Sequence, residues 1–227
     1  MKFINFAKYS DLDRIARART AHFAHADRPQ EQGELAIRGP LLDDQRWRIR
    51  LLFVYDAVSR DAALALAQED PFTLANALSG YEIREWHLRS VNLDLLIKAN
   101  RSADRSDGKN TQNPFVRELR EIWHRQIETG ECSPGALELR SDTRKQGQLT
   151  LAGPFANDEG GLFVYNAAGR EEAMSYLEQD SFALEGVFAD YELLEWLIEG
   201  VKPDLLTSDF PSAKSERAVP NRELPTP

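Results

Sequence analysis

Hydrophobic and polar positions alternate from Lys2 to Lys8, with Phe3 and Asn5 on one side and Ile4 and Phe6 on the other, which is the period of a strand. Ser10, with Asp13 three residues on, has the form of a capping box and opens a helical region that runs towards Gln32. Pro29 is expected to interrupt that helix and Gly33 to end it. Glu34 to Arg38 reads as a short strand stopped by Gly39-Pro40. From Arg48 to Tyr55 the alternation returns, with Ile49, Leu51, Phe53 and Tyr55 on one face. Ser59 caps an alanine-rich helix over 60–69 that stops at Asp70-Pro71. A helical turn over 72–78 and a last strand over 81–88 complete the order β-α-β-β-α-β, the ferredoxin-like arrangement.

The plan occurs twice. Gln32-Gly33-Glu34-Leu35 with Gly39-Pro40 returns as Gln146-Gly147-Gln148-Leu149 with Gly153-Pro154, an offset of 114. Phe53-Val54-Tyr55, Asp70-x-Phe72-x-Leu74 and Tyr81-Glu82-x-x-Glu85-Trp86 return as Phe163-Val164-Tyr165, Asp180-x-Phe182-x-Leu184 and Tyr191-Glu192-x-x-Glu195-Trp196, an offset of 110. Two copies are too few for a solenoid, so a duplicated domain is expected. The segment 115–123 aligns with the first strand of the first copy, but its pattern suits a helix equally well. The polar run at 100–113 reads as a linker between modules 1–99 and 114–206. Residues 207–227, rich in proline and charge, read as a flexible tail. The fold class expected is α+β: two ferredoxin-like modules whose sheets pack face to face as an intramolecular dimeric α+β barrel. A monomeric pseudo-dimer would be viable, and a homodimer of such chains is compatible with it.

Composition narrows the function. The chain has 227 residues, 42% hydrophobic and 29% charged, which suits a folded domain. The net charge of -9 is the wrong sign for a nucleic-acid partner. No apolar run approaches the roughly 20 residues of a membrane helix, and the N-terminus lacks the apolar core of a secretory signal. A single cysteine, Cys132, leaves no internal disulfide and no cysteine-based zinc site, and a cytoplasmic setting is the expectation.

The candidate chemistry is sparse. Phosphate-binding, dinucleotide, nucleophile-elbow and zincin motifs are all absent from the sequence, and no cofactor is called for. His22 and His25, three apart on one helix face with Asp27 nearby, lack a third ligand of suitable spacing, so no metal is expected. Asp70, before a proline, suits a turn cap; it also suits a carboxylate that orients a histidine for proton transfer, with His22 as the partner. Arg19 is placed to meet an anion, and Gly39 permits close backbone approach to a ligand beside Pro40. Trp86 and Trp196 read as core or interface residues.

Taken together, Arg19-x-x-His22, Gly33 and Leu35, Gly39-Pro40 and Asp70-Pro71-Phe72 resemble the YCII-related (YciI-like) domain, well over about the first 90 residues and partially over the second copy. The resemblance implies a ferredoxin-like dimeric α+β barrel. It also implies a histidine–aspartate catalytic pair, here His22 and Asp70, with Arg19, Gly39 and Pro40 on the substrate; one family relative is a dehydrochlorinase of hydroxylated aromatic compounds. The second copy has Ser133 and Ala136 where Arg19 and His22 stand, and Ser181 after Asp180. The function expected is therefore a lyase- or dehalogenase-like enzyme acting on a small aromatic or anionic molecule. The alternative is a non-catalytic small-molecule-binding or scaffold protein on the same duplicated barrel.

Overall fold

The computed structural model describes residues 1–103, 113–122, 148–156, 160–179 and 188–207. The first half runs β1 (Lys2–Tyr9), α1 (Leu12–Gln32), β2 (Leu35–Leu42), β3 (Arg48–Asp56), α2 (Arg60–Gln68), α3 (Pro71–Leu74) and β4 (Leu78–Trp86). Several boundaries differ from the sequence reading: the short helix is Pro71–Leu74 instead of 72–78, and the last strand begins at Leu78 and ends at Trp86 instead of covering 81–88. The cap of α1 is Asp11, whose Oδ1 accepts from Arg14 N at 3.0 Å, and not Ser10. Pro29 lies inside α1 without breaking it, because it falls in the last turn, where its missing N–H removes one hydrogen bond and the helix closes at Gly33 in the left-handed region, φ 81°.

The more informative correction is β2. Gly39-Pro40 does not stop the strand, which continues to Leu42. In a strand the N–H and C=O of one residue point to the same side. Pro40 O accepts from Leu197 N at 3.0 Å, so its missing N–H falls on that side and the ladder with β3 is intact. In β3, Leu51, Phe53 and Tyr55 share the helix-facing side as expected, while Ile49 packs against the opposite core.

After β4 come β5 (Ser90–Val91) and α4 (Leu93–Ala103), so the polar run expected as a linker from residue 100 is helical through Ala103. The second half contains β6 (Asn113–Ile122), β7 (Leu149–Pro154), β8 (Gly161–Ala167), α5 (Arg170–Glu178), β9 (Phe188–Trp196), β10 (Gly200–Val201) and α6 (Pro203–Thr207). The segment that suited strand and helix equally is β6, a strand. The expected tail after Thr207 lies outside the described residues, as do Ser133, Ala136 and Asp180.

All ten strands form one antiparallel sheet in the order β4-β1-β3-β2-β9-β6-β8-β7-β5, with β10 added to β2. The pattern β4-β1-β3-β2 is followed by the same pattern, β9-β6-β8-β7. Because β5 continues from β4 and pairs with β7, the path curls back on itself. The halves are therefore joined edge to edge into one sheet, which curls so that their inner faces meet in a shared core. This satisfies strand edges that would otherwise be open. The inner face holds one core drawn from both halves, including Ile4, Leu52, Val54, Trp86, Leu162, Val164 and Trp196. On the outer face of the first half, α1, α2 and α3 cover a second core of Phe3, Ala26, Leu35, Phe53, Tyr55, Ala63 and Phe72.

The joint is built reciprocally. Trp86 Nε1 donates to Gly153 O at 2.9 Å, and Trp196 Nε1 donates to Gly39 O at 3.2 Å. His87 N donates to Pro154 O just as Leu197 N donates to Pro40 O. Both tryptophans are 1% exposed. The glycines are required by the crossing: a Cβ at Gly39 would lie 2.0 Å from Leu197 O, and one at Gly153 2.2 Å from His87 O. We expect Gly39→Ala and Gly153→Ala each to lower the stability of the chain by about 1–3 kcal/mol. Gly80→Ala, where nothing lies within 4 Å, should stay within about 0.5 kcal/mol of the parent. Urea unfolding of the three variants checks this.

Candidate acid–base site

His22 occupies the core-facing stripe of α1, in line with Ile15, Ala18 and Ala26 at helical spacing. It is 3% exposed. Asp70, 6% exposed, ends the α2 segment and caps α3, where its Oδ1 accepts from Phe72 N at 2.8 Å. The same Oδ1 lies 2.9 Å from His22 Nδ1. An oxygen that already accepts from a backbone N–H acts as an acceptor for the ring too, so Nδ1 donates. In the neutral ring, Nε2 is then the acceptor, and it has no hydrogen-bond partner among the described residues.

Aromatic rings hold the imidazole in place. It stacks on Phe72 at 3.9 Å with 12° between planes, and meets Phe23 and Phe53 edge-on at 5.5 and 6.0 Å. The short α3 thus serves the site twice: Asp70 fixes the tautomer and Phe72 fixes the ring plane. A buried imidazole with one nitrogen committed and the other open can accept a proton from a molecule placed beside Nε2 and return it.

Two tyrosines adjoin the pair. Burial pushes the Tyr9 hydroxyl well above the ordinary phenol range, opposed by Arg48 and reinforced by Glu199 and Asp70, with Arg19 pulling the other way. Burial does the same to Tyr55, whose hydroxyl is hydrogen-bonded by the Asn5 side chain while Asp70 adds to the upward shift. Both therefore remain protonated and available as donors. Glu199, which reaches this side from the second half, is bonded to Arg48 at 3.2 Å.

Of the other residues expected at the site, Arg19 lies beside it, and Gly39 and Pro40 lie elsewhere. Arg19 is exposed, its guanidinium 5.6 Å from the Phe23 ring centroid. Gly39 and Pro40 lie at the joint between the halves, and the close approach that Gly39 permits is taken by the backbone of Leu197. His25 is partly exposed, and Asp27 is bonded to Arg38 at 2.7 Å. Among the described residues no cluster of three or more histidine, cysteine or carboxylate side chains is placed to hold a metal. The sequence reading passed over Asn5, Tyr9, Arg38 and Tyr55. Arg38 did carry a signal, as the one charge in the otherwise apolar strand Leu35–Leu42.

No curated protein matches the chain. A proposed monooxygenase of Fusobacterium nucleatum superposes with a TM-score of 0.53 at 8% identity, over 88% of this chain and 93% of its own. Chlorite dismutase of Candidatus Nitrospira defluvii, in complex with imidazole, gives a TM-score of 0.51 at 12% identity, over 90% and 93%. The 5-chloro-2-hydroxyhydroquinone dehydrochlorinase of Burkholderia phenoliruptrix matches at 22% identity with a TM-score of 0.34, over 38% of this chain and 94% of its own. The first two establish the architecture, an α+β fold with a curled antiparallel sheet of the dimeric α+β barrel kind. No helix among the described residues is long and apolar enough to cross a membrane. The YCII-related domain is matched over residues 1–87 and 125–197, and the chain belongs to that family.

Proposed function

We propose that the chain is a YciI-like enzyme in which His22 and Asp70 act as an acid–base pair on a small aromatic or anionic substrate, in a lyase- or dehalogenase-like reaction. The observation that carries this is the buried 2.9 Å contact between His22 Nδ1 and Asp70 Oδ1, with Nε2 unpaired. Nε2 takes a proton from the substrate. The electrons of that bond form a new double bond as the leaving group departs with its own pair, and the imidazolium, steadied by Asp70, later releases the proton to water. Phe23, Phe53 and Phe72 give a flat apolar body something to rest on.

In this reading the fold is an intramolecular pseudo-dimer of two ferredoxin-like modules, viable as a monomer. The repeated strand order and the reciprocal joint support it. The second module has Ser133 and Ala136 in place of Arg19 and His22, so one active site per chain is expected, the second module acting as its structural partner.

A thermal-shift screen of small aromatic and carboxylate compounds identifies candidates, since a ligand that binds only the folded state raises its melting temperature. With a substrate in hand, His22→Ala should lower kcat by about 10²–10⁴-fold and leave the circular dichroism unchanged. Full activity in that variant would refute the mechanism. Asp70→Asn keeps a cap for α3, because an asparagine oxygen also accepts from Phe72 N, yet loses the carboxylate. It should stay folded and lose about a hundredfold or more in kcat. Asp180→Ala should leave turnover nearly unchanged.

A further inference from the structure

Arg38 is 9% exposed, on a strand otherwise lined with apolar side chains. Its Nη2 donates to Asp27 Oδ1, but Nε and Nη1 are buried with no partner. Stranding donors of a guanidinium costs stability: an unsatisfied buried polar group costs about 1–3 kcal/mol, and a charged one more. The cost is not needed to hold the halves together, since the pseudo-equivalent of Arg38 at the other joint is Ala152, by the offset that relates Gly39 to Gly153.

The position of these donors is informative. Arg38 and Asn5 are both cross-strand partners of Phe53, so the three side chains form one row on the helix-facing side of β2, β3 and β1. Phe53 meets the His22 ring, and Phe23 is shared: the imidazole centroid is 5.5 Å from it and the Arg38 guanidinium carbon 6.0 Å. Asn5 Oδ1 is a second buried polar atom without a partner. The row therefore presents unpaired donors at one end and an unpaired acceptor at the other, on either side of a phenyl ring and beneath the histidine.

We propose that Arg38 is the anion-recognition residue of this site, receiving the carboxylate of a small aromatic acid whose ring lies against Phe23 and Phe53 and whose hydroxyl, where present, donates to Asn5. The proposal rests on the reading of His22 as the centre of the site and names the substrate class for it. A carboxylate matches the planar guanidinium and satisfies what burial leaves stranded. Arg19, by contrast, is exposed to water, where an ion pair is worth little. Gly200 lies against the Arg38 side chain, where a Cβ would come 2.8 Å from Arg38 Nε.

Isothermal titration of the full chain with 4-hydroxybenzoate and with the neutral 4-hydroxybenzyl alcohol tests this. The acid should bind about tenfold or more tightly than the alcohol. Arg38→Met should abolish that preference while leaving the urea midpoint equal or higher, because the stranded donors are gone. Arg38→Gln carries the same expectation for the binding preference should the methionine variant not fold. Arg28→Gln, which removes a surface cation, should change nothing. His22→Asn should retain the preference, so a failed acid–base role for His22 and a failed anion site at Arg38 are read from different variants. The proposal is overturned if the acid does not bind, if acid and alcohol bind alike, or if the preference survives in the folded Arg38 variant.

Discussion

Two close backbone crossings hold this molecule together. At each, a tryptophan at the end of one half reaches a glycine carbonyl of the other, and the following residue donates to the carbonyl of the adjacent proline. The chains approach so nearly that a single Cβ would collide with a carbonyl. Everything else follows from that proximity. It closes the strand edges of β2 and β7, lets the sheet curl, and forces the apolar inner faces of both halves into one core. Loss of either crossing would expose strand edges and large apolar side chains together, which is the combination that leads to aggregation.

The joint also reaches the outer surface. The residues that follow Trp196 run along β2: Glu199 N donates to Arg38 O, Glu199 bonds Arg48, and Gly200 lies on the Arg38 side chain. The second half thus supplies backbone and charge to the half that carries His22 and Asp70. The strand order recurs in both halves while individual side chains differ, because the crossings constrain backbones and glycines and leave other positions free. Arg38 against Ala152 is the plainest instance.

His22 itself sits where a core residue would, on the apolar stripe of α1. What distinguishes it from a satisfied core histidine is the division of its two nitrogens, one held by Asp70 and the other open. Asp70 can hold it only because α3 begins there. The oxygen that caps Phe72 is the oxygen that meets the ring, and the phenyl group of the same residue lies flat on the imidazole.

The sequence by itself determined the β-α-β-β-α-β order of the first half and the repeated motifs, because periodicity, Gly33, Ser59 and Asp70-Pro71 act through contacts a few residues long; it did not show β5, α4, β10 or α6. It also singled out His22 and Asp70 as candidate partners, one reading of Asp70 beside its plainer one as a turn cap, and the resemblance pointed to the same pair. It misjudged Ser10, Pro29 and the end of β2, each a local preference overruled. Asp11 lay nearer the first free N–H, Pro29 fell where a helix loses little, and Pro40 faced a strand that arrives from more than 150 residues away. The meeting of His22 with Asp70, the row Asn5–Phe53–Arg38 and the edge-to-edge joint were decided by tertiary structure alone. Each depends on strand register and on the packing of one layer over another, and no spacing along the chain encodes the distance between them.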